Sequence, residues 1–411
     1  MRILSRRTDI ERFLAGRRLA LERAEAVARP ILAAVRRGGD RALAAYTRRF
    51  DGYQGPLRLD APQLKASWKA TDVGLRGAMR QAAGNIARFA RLQMPREWRR
   101  AIAPGIRAGQ LVRPLESVGC YVPGGRFPLF STVLMTAIPA RVAGVAGVYV
   151  ASPRAAEPVC AAAHLARAGA VFAMGGVQAI AALAFGTETV PRVDKIVGPG
   201  NIYVTAAKKL LAGEVGIDMV AGPTEVVLVA AGGKPEWLAA DLLAQAEHDP
   251  QAAAILVTTS RRLAQAVAAR IPARWKNCTA LLAGSIEQAL ELANRIAPEH
   301  LSLADPRCVG QVRSAGSVFL GPYSTEAAGD YASGPNHVLP TAGVARLRGG
   351  LSVMDFVKII TVQELSRAGL RALAPAITTM ARAEGLEQHA RAVEVRFKVP
   401  RSRFQVDPKQ R

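Results

Sequence analysis

The sequence predicts an α/β protein built on two mostly parallel β-sheets. Short β-branched runs alternate with segments of helical period after about residue 119, which is typical of βαβ units. These runs are too many for one small sheet, and the Gly222-Pro223 and Gly232-Gly233 pairs favour a hinge between two sheets. The predicted strands are residues 119–122, 147–151, 170–173, 195–197, 226–230, 255–258 and 317–320.

Helices are predicted at both ends of the chain. Apolar residues recur every three or four positions over residues 9–46, with a break at Gly38-Gly39, and again over about 64–92. The helical period returns from about residue 351, and a polar, basic tail that is predicted to be frayed begins at Pro400. The 411 residues fit two or three domains of roughly 100 to 200 residues each.

The charge balance predicts a basic surface. The chain has 55 Lys and Arg residues against 32 Asp and Glu residues, which gives a net charge of +23. A nucleic-acid-binding protein is the alternative, but the arginines are scattered in pairs and few aromatic residues lie among them for base stacking. We therefore expect a solvated basic surface and no specific nucleic-acid partner.

Cysteine spacing and hydropathy predict a cytoplasmic protein. The four cysteines are far apart and form no C-x-x-C pair, so neither a disulfide framework nor a thiolate zinc site is expected. The first residues carry charge where a signal peptide has an apolar core. The most apolar stretch, residues 132–152, is interrupted by Pro139 and Arg141, so no membrane segment is expected.

Histidines are few enough to be weighed one by one. His248 follows Gln245 by three residues at the predicted end of a helix, so the two side chains could share one metal ion. The alternative is a polar helix end, and this pair alone does not decide between them. His164 lies in a run of small residues and is predicted to be structural, whereas nothing local decides the role of His389.

Glu299 and His300 are adjacent after Pro298, where a helix is predicted to be interrupted. A neighbouring acid and base suit two successive proton transfers. Neighbours in a regular helix diverge by about 100°, so both can face one cleft only if the turn at Pro298 reorients them. A surface Glu-His pair is an equally good interpretation of the residues alone.

The densest polar stretch rich in glycine and proline covers residues 329–341, and it is typical of a functional loop. It contains Asp330, an anionic ligand, and His337. Asp, His and Gln together would form a nitrogen and oxygen site of the kind that Zn²⁺ accepts. A plain structural loop is the alternative.

Nucleotide-binding fingerprints are absent, since neither G-x-G-x-x-G nor G-x-x-x-x-G-K-[ST] occurs. Three glycine-rich turns follow strand-like runs instead, at residues 123–125, 175–178 and 198–201. Backbone amides in such turns can bind phosphate, but simple tight turns are as good an interpretation.

Taken together, these segments resemble the histidinol dehydrogenase family. Order and spacing agree from about residue 25 to 397, and four of the five histidines fall inside the matching motifs. The motifs are residues 122–125 with 128–135, 175–187, 197–201, 241–248, 297–301, 329–341, and 383–386 with His389.

The resemblance implies an NAD-dependent, zinc-containing homodimer that oxidises L-histidinol to L-histidine through L-histidinaldehyde, the last two steps of histidine biosynthesis. It implies four zinc ligands, of which the last comes from the partner subunit, and a catalytic pair that transfers protons. The zinc ligands are Gln245, His248, Asp330 and His389; the catalytic pair is Glu299 and His300; the NAD contacts are Tyr121, Gln178 and Asn201; Thr224, His337 and Glu384 contact the substrate, as do the zinc ligands and His300.

The mechanism that the resemblance implies assigns each part of the site a role. His300, with an ordinary pKa near 6.5, takes the alcohol proton as hydride leaves, and Glu299 activates the water that hydrates the aldehyde. Zinc would hold the imidazole and amine of histidinol so that the reacting carbon faces the nicotinamide.

The resemblance also implies two incomplete Rossmann-like domains, one inserted in the other, with small helical ends that intertwine the dimer. Residues 26–120 and 225–350 would form the first domain, which carries the metal and catalytic site, and 121–224 the inserted NAD-binding domain. Residues 1–25 would be a helical N-terminal segment and 351–411 a helical dimerisation segment.

One residue departs from the family pattern. Thr224 stands where the family more often has Ser, which keeps the hydroxyl and adds a methyl group to the substrate pocket. An enzyme that oxidises another small alcohol, such as a sulfonated diol, is therefore the closest rival, although His337, Glu384 and His389 suit an amino-imidazole substrate. A nucleic-acid-binding protein and a non-catalytic interaction protein are the rivals from other classes.

Overall fold

The computed structural model describes residues 1–15, 21–124 and 128–397. The predicted frayed tail from Pro400 and Gly125 of one glycine-rich turn lie outside the described residues. The chain forms two compact units. The first contains residues 1–94 and 114–357, and the second contains residues 95–113 and those from 358 onward.

Strands occur at all seven predicted places, and at others besides. The strands of the described residues are β1 (Arg2–Leu4), β2 (Arg58–Leu59), β3 (Trp98–Ala103), β4 (Ile106–Pro114), β5 (Ser117–Tyr121), β6 (Gly147–Ala151), β7 (Ala170–Phe172), β8 (Lys195–Val197), β9 (Gly216–Ile217), β10 (Glu225–Val229), β11 (Ala253–Thr258), β12 (Cys278–Leu282), β13 (His300–Leu303), β14 (Ser317–Leu320) and β15 (Val357–Leu365).

Helices fill most of the remaining chain, and none in the described residues is long and apolar enough to cross a membrane. They are α1 (Arg7–Ala15), α2 (Glu22–Asp51), α3 (Ala61–Ala70), α4 (Val73–Leu92), α5 (Phe130–Ala143), α6 (Glu157–Leu165), α7 (Gly176–Phe185), α8 (Ile202–Leu211), α9 (Pro235–Ala246), α10 (Arg261–Ala268), α11 (Ile286–Ile296), α12 (Glu326–Tyr331), α13 (Arg367–Ala383) and α14 (Glu387–Glu394).

The first sheet has the strand order β1-β12-β11-β10-β13-β14, and all its pairs are parallel. Every residue of β10 is buried, as expected of a parallel strand covered on both faces. Val226 and Leu228 pack with α9 and α10, whereas Val227 and Val229 pack with α11, because successive side chains of a strand point to opposite faces.

The second sheet has the order β2-β7-β6-β5-β8-β9, in which only the short β2 is antiparallel to its neighbour. Val118 of β5 packs on the face that α4, α5 and α6 cover. Tyr121 and Ile196 pack on the opposite face, which α2, α7 and α8 cover. The prediction of two mostly parallel sheets is therefore confirmed.

Strand pairing differs from the division into domains that the resemblance implies. Residues 26–120 were expected with residues 225–350, but β2 and β5 belong to the second sheet. The reason is that β5 is a central strand, bonded to β6 on one side and to β8 on the other. The chain enters the first sheet with β1, passes through the second sheet, and returns to the first at β10.

The second unit contains a three-stranded sheet of order β15-β4-β3, followed by α13 and α14. The helical prediction from about residue 351 is therefore wrong up to Leu365, because β15 occupies that stretch. This segment is rich in β-branched residues, and it pairs with β4, about 250 residues earlier in the chain. The helical period is confirmed only for α13 and α14.

A buried ion pair fixes the turn that follows β8. Lys208 of α8 pairs with Asp218, and their side chains are 4% and 0% exposed. Asp218 accepts the N–H of Gly198 at 2.7 Å, and the Lys208 ammonium donates to the carbonyl of Gly198 at 3.0 Å. Gly198 has a φ of 115°, a conformation that favours glycine. Both its N–H and its carbonyl are therefore held by the ion pair.

Replacement of Lys208 should destabilise the fold strongly. Lys208→Met leaves the Asp218 carboxylate buried without a cation, which costs about 3 to 5 kcal/mol of the free energy of unfolding. Denaturant titration measures the change. Arg12→Gln is the control, because Arg12 pairs with Asp9 with its side chain 82% exposed, and such pairs contribute about 1 kcal/mol or less. Equal losses in the two variants would contradict the assignment.

Candidate active site

A cleft of about 1000 Å³ lies between the two sheets of the first unit. Pro123 and Gly198 line it from the carboxyl ends of β5 and β8, where the strand order of the second sheet reverses. Thr224, Ala253 and His300 line it from the amino ends of β10, β11 and β13. Open α/β sheets usually bind ligands at the carboxyl ends of their strands, where the strand order reverses, and the second sheet follows this rule. The first sheet lines the cleft with the amino ends of its strands instead.

Glu299 lies at the cleft in a buried turn between α11 and β13. Ala297 caps α11 in the left-handed conformation, so the chain turns sharply at Pro298 and both Glu299 and His300 face the cleft. The Oε2 atom of Glu299 accepts the N–H of Glu225 at 2.9 Å and the hydroxyl proton of Thr224. Burial raises the pKa of Glu299 to about 7, although His300 and these two donors oppose the shift.

His300 begins β13, and carboxylates lie near both of its ring nitrogens. Its Nδ1 is 3.8 Å from Oε2 of Glu299, and its Nε2 is 3.5 Å from Oδ1 of Asp330. Burial alone would lower the pKa of His300, but these carboxylates outweigh it and raise the pKa to about 9. The pKa of His300 therefore lies above the unperturbed value near 6.5.

Asp330 and His337 come from the predicted polar loop, whose first residues form the short helix α12. The Nδ1 atom of His337 lies 2.7 Å from the backbone carbonyl of Asp330, and its Nε2 lies 3.2 Å from the hydroxyl of Thr132. Burial opposes ionisation of Asp330, but His300 and the charges of His337 and His248 hold its pKa below the usual value. Asp330 is therefore anionic at neutral pH.

Gln245 and His248 lie at the end of α9, as predicted. Gln245 is buried and its amide nitrogen donates to the hydroxyl of Thr224, while His248 is exposed and lines the cleft. No cluster of three or more His, Cys, Asp or Glu residues suited to a metal occurs within the described ranges. The set of amide oxygen, imidazole and anionic carboxylate from Gln245, His248 and Asp330 nevertheless suits the chemistry of Zn²⁺.

Glu384 and His389 belong to the second unit. Glu384 is the C-terminal cap of α13, and His389 lies in the first turn of α14. Both side chains are exposed. The first unit therefore contains ten of the twelve predicted site residues, seven of which line the cleft, and these two belong to the second unit.

Three residues predicted to contact NAD lie around the carboxyl ends of the second sheet. Tyr121 is buried at the end of β5, where its hydroxyl accepts the N–H of Gly176 at 3.0 Å. Gln178 is buried in α7 and its amide lies 3.3 Å from Asp51. Asn201 lines the cleft and caps α8 by accepting the N–H groups of the next turn. All three flank the reversal of strand order at β5 and β8.

The charge of the cleft differs from that of the whole chain. Among the described residues that line it, Lys208 is the sole Lys or Arg, and Asp218 neutralises it. Other acidic residues line the same cleft, namely Glu225, Asp249, Glu299 and Asp330, and no salt bridge joins Asp249, Glu299 or Asp330 to a Lys or Arg in the described part of the chain. An acidic cleft in a strongly basic protein favours a cationic ligand.

Comparison with known proteins agrees with this geometry. The family profile described as histidinol dehydrogenase matches residues 15–397. Histidinol dehydrogenase of Thermus thermophilus is 50% identical over 90% of this chain and 94% of its own length, and that of Methanothermobacter thermautotrophicus is 46% identical over 90% and 92%. The chain belongs to the histidinol dehydrogenase family.

A solved structure agrees with the assignment of the chain to this family. The crystal structure of histidinol dehydrogenase from Elizabethkingia anophelis is 36% identical and superposes with a TM-score of 0.91, covering 96% of this chain and 98% of that chain. The α/β architecture with parallel sheets is therefore the histidinol dehydrogenase fold.

Sequence reasoning missed two side chains beside the site of this histidinol dehydrogenase family member. Glu326 lies one turn before Asp330 in α12 and is buried, and its Oε1 atom has no hydrogen-bond partner in the described structure. Burial raises the pKa of Glu326 to about 7, and the charge of Asp241 adds to the shift. Phe319 packs its ring 5.8 Å from that of His300. The four-residue spacing of Glu326 and Asp330 was the one available signal.

Proposed function

We propose that this protein is a zinc-containing, NAD-dependent oxidoreductase that converts L-histidinol to L-histidine through L-histidinaldehyde in the cytoplasm, the last two steps of histidine biosynthesis. The observation that carries the proposal is the Glu299–His300 pair, which faces one cleft beside Asp330 in a member of the histidinol dehydrogenase family. An acid and a base side by side suit a reaction with two proton-coupled oxidations.

The acidic cleft favours histidinol over the rival substrate class. Histidinol carries an ammonium group and an imidazole, whereas a sulfonated diol is an anion. Asp249, Glu299 and Asp330 line the cleft, and Lys208 is already neutralised. An anionic alcohol would therefore face the like charges of Asp249 and Asp330, and no unpaired Lys or Arg among the described lining residues would receive it, which is a cost that a cationic substrate avoids.

The proton-transfer steps are assigned to two side chains. Glu299, with a pKa of about 7, is close to the value at which a carboxylate exchanges protons readily at neutral pH, and we assign it to the water that hydrates the aldehyde. His300 accepts the alcohol proton, which requires its neutral form. Because Asp330 and Glu299 raise the pKa of His300, positive charge beside Asp330 would favour that neutral form.

Zinc and NAD complete the proposed site. When bound, NAD accepts hydride, and Zn²⁺ holds the imidazole and amine of the substrate and offsets the charge of Asp330. Gln245, His248 and Asp330 would hold the metal, and Tyr121, Gln178 and Asn201 would contact the dinucleotide. Thr224 and His337 line the cleft where they can hydrogen-bond to the substrate.

We also propose a homodimer in which each site takes residues from both chains. Glu384 and His389 are exposed polar residues of the second unit, and we assign them to the substrate and the metal of the partner subunit. The same proposal includes two incomplete Rossmann-like domains, one inserted in the other, and a dimerisation role for the C-terminal segment.

The proposed reaction is tested by NADH formation with L-histidinol in a zinc-loaded sample. Two NADH per histidinol are expected, because both oxidations occur in one site, and chelation should abolish the signal. Anionic sulfonated diols and uncharged small alcohols serve as controls. If histidinol is inert while an anionic alcohol reacts, the substrate proposal is wrong.

Substitution of the catalytic pair should separate the two oxidations. His300→Asn removes the base for the alcohol proton and should lower kcat for both steps by about 10²-fold or more. Glu299→Gln keeps the hydrogen bonds that Oε2 accepts and should slow histidinaldehyde oxidation more than histidinol oxidation. Rates measured separately with the two substrates provide the comparison, and equal losses in the glutamine variant would refute this division of labour.

Mixed dimers test the shared site. Chains carrying His300→Asn and chains carrying His389→Asn should each be inactive alone. In a heterodimer, His300 of one chain meets His389 of the partner, so one of the two sites is intact and activity should return. Coexpression with two different tags isolates the heterodimer. An inactive heterodimer with normal folding would show that each chain supplies its own His389.

A further inference from the structure

Thr224 connects a proton-transfer residue to a proposed metal ligand. It directly precedes β10, where its hydroxyl donates to Oε2 of Glu299. The same hydroxyl oxygen accepts a hydrogen bond from the amide nitrogen of Gln245. Its position is set from the backbone side as well, because the N–H of the next residue, Glu225, donates to the same Oε2 atom at 2.9 Å.

The direction of each hydrogen bond in this chain follows from the chemistry of the groups. The Oε2 atom of Glu299 accepts the N–H of Glu225, and in the ionised form of Glu299 it can only accept, so the single proton of the Thr224 hydroxyl is given to it. The hydroxyl can then only accept from Gln245, and the group of Gln245 that faces it must be the NH₂ group. The amide oxygen of Gln245 therefore points away from Thr224.

We infer that Thr224 is a positioning residue, which orients the Gln245 side chain so that its amide oxygen faces the metal. This inference rests on the proposed function, in which Gln245 is a ligand of Zn²⁺. An amide bonded through oxygen is the form that divalent cations accept, since the NH₂ group has no lone pair to offer. Without the hydroxyl, the two ends of the amide lose the contact that distinguishes them.

Buried surroundings make this orientation stable. Gln245 and Glu299 are 3% and 7% exposed, so water has little access to replace a lost partner. Replacing a residue that hydrogen-bonds to a metal ligand typically lowers metal affinity by about 10- to 100-fold. A Ser at this position would make the same two contacts, because the hydroxyls of Ser and Thr each donate one hydrogen bond and can accept another.

Zinc affinity of the full-length protein tests the inference without reference to turnover. Metal-free protein is titrated with Zn²⁺ in competition with a chromophoric chelator. Thr224→Val keeps the shape of the side chain and removes the hydroxyl, and it should weaken Zn²⁺ binding by about 10-fold or more. Thr224→Ser keeps the hydroxyl and should bind within a few-fold of the unsubstituted protein. Thermal unfolding of each variant shows that it is folded.

A matched control comes from β12. Thr279 is 2% exposed, and it lies inside the strand, away from the residues that line the cleft, so Thr279→Val should leave Zn²⁺ affinity unchanged. Unchanged affinity of Thr224→Val, or equal losses in Thr224→Val and Thr224→Ser, would overturn the inference while the zinc proposal stands. If the unsubstituted protein does not bind Zn²⁺, the zinc proposal and this inference both fail.

Discussion

The buried carboxylate of Glu299 is the constraint on which the site depends. A buried carboxylate is costly unless donors surround it, and here the donors come from the start of β10. Because β10 and β13 are neighbouring parallel strands, the register that pairs Val226 with His300 also brings Thr224 and Glu225 to Glu299. The pairing of two strands thus determines the position of the acid, and the acid in turn helps to set the protonation of the adjacent histidine.

The position of the cleft follows from the way in which the two sheets meet. The second sheet presents the carboxyl ends of β5 and β8, where its strand order reverses, and this edge carries the glycine-rich turn at Gly198. The first sheet presents the amino ends of its strands. The loops that follow α9 and α11 place His248 and Glu299 there. The edge at which α/β sheets usually bind ligands therefore faces the edge that carries Glu299 and His300, and both edges line one cleft.

Local pattern predicted most of the strands and singled out candidate site residues, whereas other site residues were expected only from the family resemblance. The candidates from pattern were Gln245, His248, Glu299, His300 and Asp330; those from the resemblance alone were Tyr121, Gln178, Asn201, Thr224 and Glu384. The β-branched runs marked seven strands, and Pro298 marked the turn that brings Glu299 and His300 to one cleft. What local pattern could not supply depends on distant partners. β15 was mistaken for helix because its partner β4 is far away in sequence. The raised pKa of His300 could not be read from local pattern either, because it depends on Asp330, which is thirty residues later in the chain and lies beside the ring.

Charge is distributed in opposite senses on the surface and in the cleft. The net charge of +23 comes from arginines scattered along the chain, whereas the described cleft residues include one Lys, which is paired, and several acids. A basic exterior attracts anions at long range, but screening confines that effect to roughly 8 to 10 Å at physiological ionic strength. Inside the cleft, the nearby carboxylates act on a ligand at contact distance and with less screening. The charges that a ligand in the cleft meets at contact distance are therefore those of the lining acids, and a basic exterior is compatible with an acidic cleft.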